Sequence, residues 1–168
     1  MIEAAVKKNS VSILAIFHRF AMIIYSYTIE CCTIGSIIMN TDNLKQKLTP
    51  EEYKVTQEKA TEAPFQNKYW DKKDDGMYRC KVCGQPLFAS DTKIDSSVGP
   101  AGLRGWPAFD DAIPGSVEYR DDDSMGMHRT EAVCANCKSH LGHLFADETK
   151  TGKHLCINSC SLDFDGKK

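Results

Sequence analysis

The sequence predicts a mainly β protein, built of antiparallel sheets with a pair of zinc knuckles and a short N-terminal helical preface. Three observations carry that prediction. From Met77 onward, turn signals recur at short intervals: Gly84-Gln85-Pro86, Gly99-Pro100, Ile113-Pro114-Gly115, Ser124-Met125-Gly126 and Thr151-Gly152. Between them, side chains alternate. Val117 and Tyr119 alternate with polar neighbours, and Leu155 and Ile157 point away from Cys156 and Asn158. Finally, a Cys-x2-Cys pair occurs twice. The 168 residues suit one ordinary domain, and 42% hydrophobic with 26% charged residues is a globular balance. That composition excludes a disordered tail, a collagen and a polytopic membrane protein.

Residues 1–38 differ from the rest, being apolar and poor in turn residues. No uninterrupted run reaches the roughly 18 apolar residues of a membrane span. Lys7 and Lys8 precede an apolar stretch, as in a secretory signal; Glu3 and Glu30 count against a mitochondrial one. Adjacent Cys31 and Cys32 are a candidate acylation pair. The other reading starts translation at Met39 and gives a cytoplasmic protein, whereas a working presequence gives a mitochondrial or secreted one. Both stay open. Residues 39–168 then form a single domain, with a preface over 39–75 and a β core over 76–168.

Within the preface, Thr49-Pro50-Glu51-Glu52 predicts a helix start. Thr49 caps, Pro50 suits the first helical position and Glu52 completes a capping box, so a helix runs from Pro50 to about Glu58. Ala63-Pro64-Phe65 to Trp70 reads as a connector anchored by aromatics, and residues 72–76 as a solvated turn. Near the other end, Cys160 to Phe164 reads as a core strand.

Cys80-Lys81-Val82-Cys83 and Cys134-Ala135-Asn136-Cys137 each turn two sulfurs toward one point. Together they supply the four thiolates that a structural Zn²⁺ prefers, leaving no open position for water. A redox pair usually opens a helix in a βαβ setting, which neither pair has. A zinc ribbon could instead bind nucleic acid. The net charge of −2, the pI near 6.2 and the run Asp121-Asp122-Asp123 argue against that partner.

Outside residues 1–38 the remaining cysteines are Cys156 and Cys160, close in sequence to His140 and His143. A thiol beside histidines suits nucleophilic chemistry, since the thiolate reacts and imidazole moves protons near neutrality. A buried, inert core cysteine fits the same residue types. On an ideal strand His140 and His143, three apart, face opposite ways; Gly142 permits a bulge that would bring them together.

The order of motifs resembles the B-type methionine-R-sulfoxide reductase family over residues 44–164. The matching text is Leu48-Thr49-Pro50-Glu51-Glu52-Tyr53, Cys80/Cys83 with Gly84, and Gly105-Trp106-Pro107-Ala108-Phe109. It continues through Gly126-Met127-His128-Arg129-Thr130-Glu131, Cys134/Cys137, His140-Leu141-Gly142-His143 and Cys156-Ile157-Asn158-Ser159. The resemblance implies thiol-dependent reduction of methionine R-sulfoxide in proteins or peptides. It implies Cys156 as the nucleophile that becomes a sulfenic acid, and His140 and His143 as groups that bond and protonate the sulfoxide oxygen. It further implies Asn158 orienting water there, Trp106 as an apolar wall for the S-methyl group, and one structural zinc. Arg129 would lend positive field or pair with Glu131.

Two departures stand out. The family often carries a resolving cysteine two residues before the motif tryptophan, where this chain has Arg104. Residues 98–104 also form a longer stretch, which reads as a surface insertion. Cys160 on a continuous strand would lie about 13 Å from Cys156, against the roughly 7 Å a disulfide allows. The expectation is therefore a monomeric enzyme, without an internal disulfide when it starts at Met39, recycled by thioredoxin or a small thiol; Cys31 and Cys32 could serve only if residues 1–38 are retained. The alternative is a zinc-ribbon interaction module whose Cys156 is inert.

Overall fold

In the computed structural model of the protein, residues 41–147 and 149–167 are described. The targeting, acylation and Met39-start readings of the N-terminal segment lie outside them. Among the described residues two short helices come first, α1 (Thr41–Lys47) and α2 (Pro50–Glu58). The capping box forms as the sequence expects: Glu52 N–H donates to Thr49 Oγ1 at 3.2 Å, and Thr49 N–H donates to the Glu52 carboxylate at 2.9 Å. The α2 helix stops at Lys59, which takes a left-handed φ of 58°. Among the described residues no helix is long and apolar enough to cross a membrane.

Nine strands follow: β1 (Gly76–Cys80), β2 (Pro86–Ala89), β3 (Lys93–Ile94), β4 (Ala108–Phe109), β5 (Val117–Asp122), β6 (Arg129–Cys134), β7 (His140–Ala146), β8 (Lys153–Ile157) and β9 (Leu162–Gly166). They make a three-stranded sheet, β2-β1-β9, and a six-stranded sheet, β3-β4-β8-β7-β6-β5, paired antiparallel throughout. Aromatic rings join the sheets. Phe88 of β2 stacks on Phe109 of β4 with centroids 4.4 Å apart, and Tyr78 of β1 meets Phe109 edge-on at 5.0 Å. Leu87, Leu141, Leu155 and Ile157 complete the core, onto which Leu44 and Leu48 fold the helical preface.

One strand reading is corrected. Cys160 does not continue a strand from Cys156. A 3-10 turn, Ser159–Ser161, breaks the chain there, closed by Ser161 N–H donating to Asn158 C=O at 3.1 Å, and β9 begins only at Leu162. The 13 Å extended-chain separation therefore does not apply. Cys160 is half-buried, with its N–H donated to the Glu62 carboxylate at 2.9 Å.

Candidate active site and metal centre

The four knuckle cysteines converge. Cys80 ends β1 and Cys134 ends β6, each on a different sheet, and Cys83 and Cys137 follow in the turns. Their sulfurs all lie within 4.8 Å of one another, with Cys80–Cys137 and Cys83–Cys134 at 3.6 Å. Tetrahedral thiolates around zinc sit about 3.8 Å apart, given a Zn–S bond near 2.3 Å. This cluster can therefore coordinate a metal ion. Each knuckle is closed alike: Gly84 N–H donates to Cys80 C=O, and Lys138 N–H to Cys134 C=O. Gly84 and Lys138 both take positive φ, 76° and 63°, so the second turn uses a side-chain residue where glycine would be easier.

The histidine doubt resolves as a bulge. Ala132 pairs with Gly142 and Val133 with His140, so Leu141 is the extra residue on β7. Skipping one residue changes the parity, and the rings of His140 and His143 meet at 5.4 Å in a T-shaped contact. His143 then stands directly opposite Cys156 in the β7–β8 register. Gly142 has to be glycine here, because a Cβ would come within 2.1 Å of the Cys156 carbonyl oxygen.

Carboxylates hold both rings. His140, 2% exposed, donates from Nδ1 to Glu131 Oε1 at 2.8 Å, and Lys59 Nζ approaches the other Glu131 oxygen at 2.7 Å. Burial is the largest influence on Glu131, yet the Lys59 and His140 hydrogen bonds together hold it below the usual carboxylate value. Burial pulls His140 below its ordinary value, outweighing Glu131, so its buried Nε2 is a bare acceptor without a partner. His143 Nε2 donates to Asp122 Oδ2 at 2.8 Å. Asp122 is held far below the normal range by hydrogen bonds from Ser124 first, then from His143, with help from the Arg129 charge.

Cys156 is a thiol at rest. Burial, reinforced by the Glu62 charge, pushes it up to about 12. Arg129 does not oppose this, since its guanidinium is paired with Asp122 at 2.8 Å and donates to Ser124 Oγ at 3.1 Å. Arg129 faces Asp122 directly in the β5–β6 register, which is why it pairs there and not with Glu131. Arg129 also lines a cleft of about 110 Å³ with Cys156, His143, Trp106, Phe145 and Leu103. That volume takes a single side chain. A larger cleft, about 490 Å³ beside Trp70, Lys72 and Lys93, contains neither thiol nor histidine.

Trp106 is fixed by Nε1 donating to Glu62 C=O at 3.0 Å. Asn158 is tied at both ends: Nδ2 donates to Leu141 C=O at 3.0 Å and Oδ1 accepts from Glu62 N–H at 3.2 Å. Its amide keeps one N–H and one lone pair for anything else. The stretch 98–104 does more than cover surface, because Gly102 and Leu103 wall the cleft while Arg104 is exposed and donates to Gly99 C=O at 2.8 Å. The sequence reading missed Glu62, Asp122 and Glu131. Asp122 was hidden in an acidic run that looks solvated. Glu131 carried a usable signal, an acidic residue directly before the apolar run Ala132-Val133-Cys134 of β6 and nine residues before His140 across a hairpin.

The SelR domain model matches residues 48–166. Mouse methionine-R-sulfoxide reductase B3, mitochondrial, is 49% identical over 130 residues, 76% of this chain and 49% of that protein. The chain thus spans about half the length of the mouse relative. Peptide methionine sulfoxide reductase MsrB of Synechococcus sp. strain RCC307 is 49% identical over 125 residues, 73% of this chain and 88% of the relative. The MsrB of Thiobacillus denitrificans is 44% identical over 137 residues, 77% of this chain and 99% of its own.

Proposed function

The chain belongs to the SelR family of peptide methionine sulfoxide reductases, and from that membership we propose how its residues divide the thiol-dependent reduction of methionine R-sulfoxide. Cys156 Sγ attacks the sulfoxide sulfur. The thiol proton goes to the sulfoxide oxygen, that oxygen passes to Cys156, and methionine leaves with its thioether restored. The sum balances as thiol plus sulfoxide giving sulfenic acid plus thioether. Because Cys156 is protonated at rest, it brings the proton that the poor leaving oxygen needs, and His143 with His140 carries it across. Glu131 and Asp122 set the tautomers, Trp106 faces the S-methyl group, and Arg129 frames the cleft. Asn158 holds β8 to the bulge and offers its remaining N–H to water.

The observation that carries this reading is the row Cys156–His143–Glu131 across β8, β7 and β6, on a cleft one side chain wide. The metal centre binds one Zn²⁺ with a structural role, since four thiolates fill its coordination. Residues 39–168 act as one monomeric reductase domain on oxidised methionine in peptides or proteins. Thioredoxin or a small thiol recycles the sulfenic acid. Cys160 is a poor internal donor for a reason other than distance: burial and Glu62 hold its thiol up at about 12, and it opens into a different cleft, with Gln66 and Lys68.

Turnover of both sulfoxide epimers with dithiothreitol tests the reading. Wild type should reduce only the R epimer, and Cys156→Ser should be inactive while keeping its fold. Activity confined to the S epimer, or retained by the variant, would overturn it.

A further inference from the structure

The most exposed large apolar side chain among the described residues is a methionine. Met125 is 84% exposed, and Met127, two residues on, is 50% exposed. Both sit at the tip of the β5–β6 hairpin, in the segment Ser124-Met125-Gly126-Met127. Met125 takes φ 57° and ψ 21°, the left-handed region where glycine or asparagine is the easier choice. An unbranched thioether held in solvent on a turn is open to two-electron, oxygen-donating oxidants such as hydrogen peroxide. Neither sulfur belongs to the core, so neither position needs methionine for packing.

Resting on the reductase reading above, we propose that Met125 is an oxidation site and that its R-sulfoxide is a substrate of this protein, reduced by a second copy. The chain's own cleft does not receive this side chain: Arg129 lines that cleft, whereas Met125 does not and stands in solvent. Cys156 and Glu131 are two strand spacings apart, roughly 10 Å, and Arg129 lies about 7 Å further along β6, with the tip beyond it. The tip is also tied down. Ser124 N–H donates to Asp122 Oδ1 at 3.1 Å, and Arg129 bonds both Ser124 and Asp122. Folding back would break the same bonds that hold His143. A second molecule meets no such restraint, since the sulfur of Met125 projects into solvent.

The steps balance. Peroxide gives one oxygen to the thioether and leaves as water. The sulfoxide then gives that oxygen to Cys156 of another copy, and two external thiols reduce the sulfenic acid to thiol and water while forming one disulfide. Summed over a cycle, one peroxide and two thiols become two waters and a disulfide. Because only the R half returns to methionine in each round, Met125 is a bait residue that consumes about two equivalents of peroxide before it ends as the S-sulfoxide.

The test oxidises full-length Cys156→Ser with hydrogen peroxide, removes the oxidant, and adds catalytic unoxidised wild type with dithiothreitol. Peptide mass spectrometry reads the +16 form at Met125, with half-buried Met77 as the internal comparison. Met125 should oxidise well before Met77 and then lose roughly half of its sulfoxide, the R half, because each reductase takes one epimer. The remainder should resist further wild type. N-acetyl-methionine R-sulfoxide is run in parallel. Reduction of that compound with no loss at Met125 overturns the proposal and leaves the reductase reading standing; no reduction of either overturns both. Loss at Met125 only when the oxidised chain itself carries Cys156, at a rate independent of protein concentration, overturns the second-copy assignment.

Discussion

Glu62 touches the site at four points and does so through both backbone and side chain. Its carbonyl holds Trp106, its N–H holds Asn158, and its carboxylate accepts the N–H groups of Ser159 and Cys160. Burial raises its own pKa in turn. With burial it keeps Cys156 protonated, which sets a pH signature. A pKa near 12 means the folded protein holds this proton more tightly than an ordinary thiol does. Alkylation of Cys156 by iodoacetamide should thus be slow at pH 8 and climb about tenfold per pH unit to beyond pH 10, without a plateau. Mass spectrometry separates it from Cys160. Glu62→Gln should speed alkylation at fixed pH while leaving it slower than a model thiol, since burial is the larger cause. A plateau near pH 8 in wild type would contradict the assignment. Glu131→Gln tests the other carboxylate. Its negative charge raises the His140 pKa against burial, so its removal should move the limb of the pH–kcat profile that His140 sets to lower pH. An unchanged profile with reduced kcat would mean that Glu131 acts only through packing.

Among the elements, α2 was readable because its signals are local. Thr49, Pro50 and Glu52 specify its start within four residues, and Thr49→Ala should cost about 1 kcal/mol in denaturant unfolding with catalytic constants unchanged. The bulge on β7 was readable only as a possibility. Glycine permits it, and what demands glycine at that position is Cys156 C=O on β8. Gly142→Ala should force β7 and β8 apart, costing about 1–3 kcal/mol and losing most of its turnover, because His143 and Cys156 would no longer be opposite. Full activity in that variant would show that the register tolerates slippage. The break after β8 was not readable. Its turn is capped by Glu62, nearly a hundred residues earlier, and a local pattern of Cys160 to Phe164 carries no trace of that partner. The same holds for Arg129, whose ion pair follows from the β5–β6 register and not from its nearest acidic neighbours in sequence.

Across the whole molecule, the four-cysteine cluster able to hold a metal ion was legible because two matched Cys-x2-Cys pairs announce themselves at any separation. What the spacing did not disclose is that one knuckle ends a strand of each sheet. Cys83→Ser, or extraction with a strong chelator, should therefore loosen both sheets together, and unfolding monitored by circular dichroism and by tryptophan fluorescence should stay coincident. Retention of a normal melting curve without metal would contradict a structural role. A bound ion would also act on the chain when it is not folded. An ion that stays bound to both knuckles in denaturant ties off a loop of some fifty residues, removing about 4 kcal/mol of loop-closure entropy from the unfolded ensemble. Refolding would then begin from a chain whose longest-range encounter has already been made.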